Sequence, residues 1–366
     1  MKFLKYISIF LVVILVLAAV VSFSVTRDGK LVTPEGSGTV TLDSGTYEAF
    51  PLPDYAAAVV DEDYKSYFIE VEPGIKIHVL ETGSGYPVYL QHGNPTSGLL
   101  YRKVAEELSS ENLRLIMPTM VGLGFSSKIP ASEHTIENHI RWMSAALAAL
   151  DLGGVVYVGQ DWGGAIGMGA LGELPDLLQG AVIMNTGFTA PTEPLDISRA
   201  HAVVKTPIVG ELLLEQFITI FDRLHETQGD PASFPQDVAD LYARPVLESG
   251  NAKGPLALMR MVPDGPDHRT TPGMRIVENY ARGVDIPAEL VWGMNDPILA
   301  QALPVMQQMF PDAPVLETEA GHFLQEEVPA EIAGAIARVV AKVQAPDVAA
   351  EAAETIVAPA PAQSRD

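Results

Sequence analysis

Three side chains able to do covalent chemistry stand at telling points of this sequence. Val155–Val158 is a short apolar run, and it leads into Gly159-Gln-Asp161-Trp-Gly163-Gly164 ahead of a helical pattern. A strand, a tight turn and a helix in this order form a nucleophile elbow, which pushes its central side chain out above a sheet. Glycines two before and two after that residue let the turn tighten and the helix approach the strand. The central residue here is Asp161, where a serine would be usual. Further on, Asp296 closes Trp292-Gly-Met-Asn-Asp296 just after the apolar run Ala288–Trp292, and His322 sits in Ala320-Gly-His-Phe323. Nucleophile, acid and histidine thus follow one another along the chain. Asp296 before Pro297 could otherwise be a simple turn residue, and His322 a solvated loop histidine. The shared order and spacing favour a joint catalytic role.

An aspartate nucleophile restricts the reaction. Attack on an acyl carbon would give an unstable anhydride, whereas attack on an sp³ carbon bearing a leaving group gives an ordinary alkyl ester. The expected substrate is therefore an alkyl halide or an epoxide. Water would then hydrolyse the ester, with His322 as general base and Asp296 holding its tautomer. Gln91-His-Gly-Asn-Pro-Thr96 directly follows the apolar run Val88–Gln91. The backbone N–H groups of Asn94 and Trp162 are expected to form the oxyanion hole. The side-chain amide of Asn94 and the indole N–H of Trp162 are neutral donors suited to cradling a departing halide. His92 reads as a structural hydrogen-bonding residue.

Such residues need a scaffold that brings distant segments to one edge. Tyr67–Val71 and Ile75–Glu81 flank Pro73-Gly74, a hairpin signal. Val88–Gln91, Leu113–Met117, Val155–Val158, Gly180–Met184 and Ala288–Trp292 are short bounded apolar runs, as in parallel strands buried on both faces. Helical patterns fall between them, around Ile136–Leu150 and Pro329–Val343. This alternation, with the order of the three residues, predicts an α/β-hydrolase fold with a mostly parallel central sheet. The core is expected over residues 61–187 and 284–343, with a helical cap over 188–283, inserted before the strand that precedes Asp296. Within the cap, Glu211–Leu224 reads as a helix whose Leu213, Phe217, Ile220 and Phe221 pack inward. Residues 26–60 read as a spacer able to pack partly on the domain, and residues 344–366 as a disordered tail.

Composition narrows the partners. A net charge of −23 repels phosphate backbones, so nucleic acid is not an expected partner. The absence of cysteine excludes disulfides, thiolate metal sites and a cysteine nucleophile. No metal or organic cofactor is expected, and water is the co-substrate. Lys2 and Lys5 precede an uncharged run, Tyr6–Val25, long enough to span a bilayer at 1.5 Å per residue. It reads as a transmembrane anchor, with a cleaved signal peptide and a buried core helix as the other readings. The expectation is a membrane-attached or secreted enzyme lying outside the cytoplasm.

His-Gly-Asn-Pro-Thr, Gln-Asp-Trp-Gly-Gly, Asp296 and Ala-Gly-His-Phe together resemble the haloalkane dehalogenases, over roughly residues 65–343. That resemblance implies Asp161 as nucleophile, His322 as base, Asp296 as acid, and Asn94 with Trp162 as halide ligands. Some members carry the acid as a glutamate after the preceding core strand, but here that strand ends Met184-Asn-Thr-Gly187. Others bind halide with a second tryptophan from the cap, yet Trp142, Trp162 and Trp292 all lie outside it. The combination resembles the branch with an Asn–Trp halide pair and an aspartate acid. Met117-Pro-Thr-Met120 departs from the many relatives with an aspartate after the proline. An epoxide hydrolase of the same fold is the alternative. It would need cap acids, for which Tyr242 and Tyr280 are the candidates. A non-catalytic ligand-binding protein is a third reading, against which stands the complete set of catalytic residues.

Overall fold

Short apolar runs alternating with helical patterns build one mixed sheet covered by helices. The computed structural model describes residues 26–195 and 199–345. Its strands are β1 (Thr39–Leu42), β2 (Gly45–Ala49), β3 (Lys65–Glu72), β4 (Ile75–Gly83), β5 (Tyr86–Gln91), β6 (Leu113–Pro118), β7 (Val155–Gln160), β8 (Leu178–Met184), β9 (Ala288–Gly293) and β10 (Val315–Thr318). In space they run β1-β2-β3-β4-β6-β5-β7-β8-β9-β10. The β1 to β4 end is antiparallel and joins β6 antiparallel. From β6 to β10 the pairing is parallel throughout.

The parallel strands are apolar because both faces are covered. β7 and β9 are buried at every position. Val155 and Tyr157 pack on one side with Ile136, Met143 and Ala165 from the helices Ile136–Ala149 and Trp162–Gly172. Val156 and Val158 pack on the other with Val104 and Ile336, from Arg102–Glu107 and Pro329–Gln344. Each such side chain, fully buried, contributes about 1.5–3 kcal/mol.

The order of strands creates the site. β6 lies on one side of β5 and β7 on the other, so the chain reverses direction across the sheet at β5. In open α/β sheets the crevice at the carboxyl ends of the strands flanking such a reversal is where ligands bind. Gln91 pairs with Gly159 at those ends. The loops carrying Asn94 and Asp161 therefore leave the sheet side by side.

Between β8 and β9 the described chain holds the helices Arg199–Lys205, Gln236–Leu247, Gly254–Met261 and Thr271–Gly283, joined by shorter turns. The single helix expected over Glu211–Leu224 is not formed. Its place is taken by a short turn at Val209–Glu211, a π-helical stretch at Leu212–Phe217 and a 3₁₀ stretch at Ile220–Thr227. Thr219 caps the last of these reciprocally with Asp222, which starts a new element where one continuous helix was expected. Phe221 is buried as expected, but Phe217 is 76% exposed and Leu213 is exposed as well, so inward packing does not hold for these two. The stretch 26–60 is more than a spacer. It holds β1 and β2, and Val32 bridges to Lys128.

The expectation of membrane attachment is corrected. Among the described residues no helix is long and apolar enough to cross a membrane. Pro329–Gln344, with 16 residues, reaches about 24 Å at 1.5 Å per residue, short of a bilayer core of about 30 Å. The transmembrane, signal and extracytoplasmic assignments, which were built on Tyr6–Val25, are withdrawn with it. That run, and the tail beyond residue 345, lie outside the described residues.

Candidate active site

Asp161 is the strained residue of the elbow. Its φ of 52° and ψ of −131° fall where L-residues rarely sit. The turn is locked by its own amide, which donates to the Asn185 carbonyl at 3.0 Å, and by the Thr186 hydroxyl, which donates to the Asp161 carbonyl at 2.7 Å. Gly163 is required at the start of the following helix, because a Cβ there would collide with the carbonyls of Gln91 and His92. Helix and strand β5 touch backbone to backbone, and the aspartate side chain is left as the group that projects.

One oxygen of that side chain is held and the other faces the histidine. The Asn94 amide donates to Asp161 Oδ1 at 2.7 Å, and the Trp162 amide also donates to the carboxylate. His322 Nε2 stands 3.8 Å from Oδ2. Burial pushes the Asp161 carboxyl above the usual range, against the opposing pull of His322 and the two amides.

Behind the imidazole stands Asp296, whose side chain is fully buried. His322 Nδ1–H donates to Asp296 Oδ2 at 2.9 Å, which leaves Nε2 facing Asp161. Asp296 Oδ2 also accepts from Asn185 Nδ2 at 2.8 Å, and Oδ1 from the Ile298 amide at 2.7 Å. Burial would raise the Asp296 carboxyl, but the neighbouring His322 and these hydrogen bonds outweigh it and hold it below the usual range. Burial likewise pulls His322 down, yet Asp296, and more weakly Asp161, carry it above the usual histidine value. Asn185, whose position is notable in the sequence only for lacking a carboxylate, is a further residue of the site. Its amide grips the Gly293 backbone at 2.8 and 2.9 Å as well as Asp296. The signal was available as a polar residue at the carboxyl end of the strand between those carrying Asp161 and Asp296.

His92 is buried, with Nδ1–H donating to the Gly93 carbonyl at 2.8 Å and Nε2 accepting from the Met120 amide at 3.0 Å. Both nitrogens are engaged, and burial lowers its pKa to about 4, so it is a neutral strut between two loops. The side-chain donors of Asn94 and Trp162 both point at one cap helix, Gly254–Met261. Asn94 Nδ2 donates to the Pro255 carbonyl at 3.2 Å, and Trp162 Nε1 to the Leu258 carbonyl at 3.1 Å. The structure thus brings all five expected residues together, with two backbone carbonyls closing the donors off.

Residues 86–329 match the family model for the alpha/beta hydrolase fold. The haloalkane dehalogenase of Agrobacterium fabrum is 32% identical over 269 residues, which is 71% of this chain and 86% of that protein. The chain belongs to the haloalkane dehalogenase family. Its relative from Psychrobacter cryohalolentis, also a haloalkane dehalogenase, is 29% identical over 75% of this chain and 90% of that one. A solved haloalkane dehalogenase from Agrobacterium tumefaciens superposes with a TM-score of 0.69 at 26% identity, covering 78% of this chain and 99% of that one. This dehalogenase is accordingly a hydrolase acting on carbon–halide bonds.

Of the two tyrosines that an epoxide hydrolase would need, Tyr242 is engaged elsewhere and Tyr280 packs away from Asp161. The Tyr242 hydroxyl donates to Glu326 at 2.9 Å and accepts from Arg102 at 3.1 Å. Tyr280 lies against Gly172 at the far end of the helix that starts at Trp162. Eleven residues at 1.5 Å each separate that end from Asp161 by about 16 Å.

Proposed function

We propose that this enzyme cleaves haloalkanes through an alkyl ester on Asp161, giving alcohol, halide and a proton. Oδ1, held by the Asn94 amide, stays in the oxyanion hole that the Asn94 and Trp162 amides would form. Oδ2 is the attacking oxygen, displacing halide from an sp³ carbon with inversion. Esterification removes the negative charge of Asp161, one of the groups that raise the His322 pKa. The imidazole is thereby more readily neutral when it must take a proton from water. Water then adds to the Asp161 carboxyl carbon, Oδ1 carries the developing charge, and His322 Nε2 accepts the proton. Asp296 stabilises the resulting imidazolium. Collapse expels the alkoxide, which takes the proton held by His322 to leave as the alcohol, and the Asp161 carboxyl, now carrying the oxygen of water, releases its proton to solvent.

The observation that carries this mechanism is the division of labour at Asp161, with Oδ1 held at 2.7 Å by a backbone amide and Oδ2 facing His322 Nε2 at 3.8 Å. Halide would be received by Asn94 Nδ2 and Trp162 Nε1, in place of the Pro255 and Leu258 carbonyls that now accept from them. Substrate entry therefore requires the helix Gly254–Met261 to draw back from both donors.

Halide release from bromo- and iodoalkanes, run beside diol release from epoxides, tests the substrate class. Halide with no diol is expected. Diol formation at a comparable kcat/KM would contradict the assignment.

A further inference from the structure

The catalytic histidine lies on Gly321-His322-Phe323, a segment with no regular structure of its own between β10 and the short helix Leu324–Glu327. Buried backbone groups there must find partners outside a helix or ladder. Most come from one stretch of the cap. The His322 amide donates to the Thr227 carbonyl at 2.8 Å. The Phe323 amide donates to Gln228 Oε1 at 2.9 Å, and Gln228 Nε2 donates back to the Phe323 carbonyl at 3.2 Å. Further contacts come from Gln160, whose Nε2 donates to the His322 carbonyl at 2.9 Å, from Glu327, which accepts from the Gly321 amide at 2.8 Å, and from the Glu326 amide, which donates to the Phe323 carbonyl at 3.0 Å. The fit is close. A Cβ on Gly321 would collide with the Thr227 carbonyl, which accounts for the glycine of Ala-Gly-His-Phe.

We infer that Gln228 is a positioning residue for His322, fixing the imidazole for the hydrolytic half of the reaction. This role rests on His322 acting as base on the Asp161 ester. Gln228 is 6% exposed, and its amide pairs with the backbone of the residue next to the histidine as a neighbouring strand would. A glutamine offers a donor and an acceptor in one plane at this reach. Glutamate offers acceptors only, and methionine offers neither at useful strength. Asp161, by contrast, is set by the elbow and by Asn185, Thr186 and Asn94, none of which touches Gln228. Loss of Gln228 should therefore loosen the base and leave the nucleophile in place.

The kinetic consequence separates positioning from general damage. Displacement of halide is irreversible and comes first, so kcat/KM reports alkylation alone. In Gln228→Met, kcat/KM should stay within about 3-fold of wild type, while hydrolysis of the alkyl-enzyme slows about 10- to 100-fold, the size of effect that a misplacement of about 1 Å produces. KM should fall with kcat as the covalent intermediate accumulates. Gln228→Glu, which keeps an acceptor for the Phe323 amide, should be slowed less and serves if the methionine variant does not fold. The test is rapid-quench halide release combined with intact-protein mass spectrometry of adduct decay, with His322→Phe measured alongside. Adduct decay at the wild-type rate in folded Gln228 variants would overturn the inference. A fall in burst amplitude and kcat at constant KM would also overturn it, since that marks lost active enzyme. If His322→Phe itself formed no lasting adduct, the failure would lie with the mechanism and not with Gln228.

Discussion

Replacing Asp296 by asparagine has a consequence that can be worked out from its hydrogen bonds. Both carboxylate oxygens act as acceptors, Oδ2 for His322 and Asn185 and Oδ1 for the Ile298 amide. An amide has one acceptor oxygen, so Asp296→Asn must set its NH₂ against at least one donor. Facing the NH₂ to Ile298 orphans one bond, and facing it to His322 and Asn185 orphans two. The first orientation should win, which keeps the histidine tautomer but removes the charge that steadies an imidazolium. Two unit charges 4 Å apart interact by about 4 kcal/mol at an effective dielectric of 20. That figure is an upper bound on the loss, because the neutral hydrogen bond survives. Ester hydrolysis should slow by roughly 10²- to 10³-fold at 1.36 kcal/mol per decade. Alkylation needs no proton transfer and should change little. The acid limb of kcat should move to lower pH, because burial would then pull His322 down without its main opposing charge. Rapid-quench measurement of halide burst and adduct decay across pH reads all three effects. An unchanged acid limb, or equal slowing of both steps, would refute Asp296 as the partner of His322.

Other outcomes follow from the same contacts. Asn94→Ala and Trp162→Phe each remove one buried donor from the halide position and should weaken halide binding by about 1–3 kcal/mol. Product inhibition by iodide measures this, and unchanged inhibition in both variants would exclude them as ligands. In wild type, His322 must be neutral to act as base, and its pKa is raised, so kcat should fall with acid along a limb above pH 6.5. A limb below that value in kcat would mean that His322 is not held by Asp296. Glu326 is fully buried and bonds Arg102 at 2.6 and 2.9 Å along with Tyr242. Glu326→Ala leaves an unpaired buried guanidinium and should cost about 3–5 kcal/mol of stability in chemical denaturation, where a loss under 1 kcal/mol would show that the pair is solvated.

Much of this architecture can be read from the chain because parallel strands buried on both faces leave unbroken apolar runs. Val155–Val158 and Ala288–Trp292 are examples, and the glycines around Asp161 record a steric need. The hairpin Thr39–Leu42 and Gly45–Ala49 was less legible. Its strands are short and partly exposed at the sheet edge, so no apolar run marks them. Helical spacing over Glu211–Leu224 could not distinguish one α-helix from π and 3₁₀ pieces, since the periods are close and capping by Thr219 and Asp222 decides the break. Asn185 and Gln228 escaped notice for a different reason. Each acts through backbone groups of a segment about a hundred residues away, so the sign of Asn185 is only its place at the end of β8, and Gln228 carries no spacing signal. The engagement of Asn94 and Trp162 by the carbonyls of Pro255 and Leu258 is likewise a property of how the cap packs, which composition does not fix.

The covalent role of Asp161 is tested most directly in His322→Phe. SN2 attack by a carboxylate needs no base, so this variant should release about one equivalent of halide from a bromoalkane and then stop. Intact-protein mass spectrometry should show the mass of one alkyl group, located by digestion on the peptide containing Asp161, and Asp161→Ala should give neither halide nor adduct. An unmodified mass with sustained multiple turnover in His322→Phe would mean that water attacks the substrate directly, and Asp161 would not be the nucleophile.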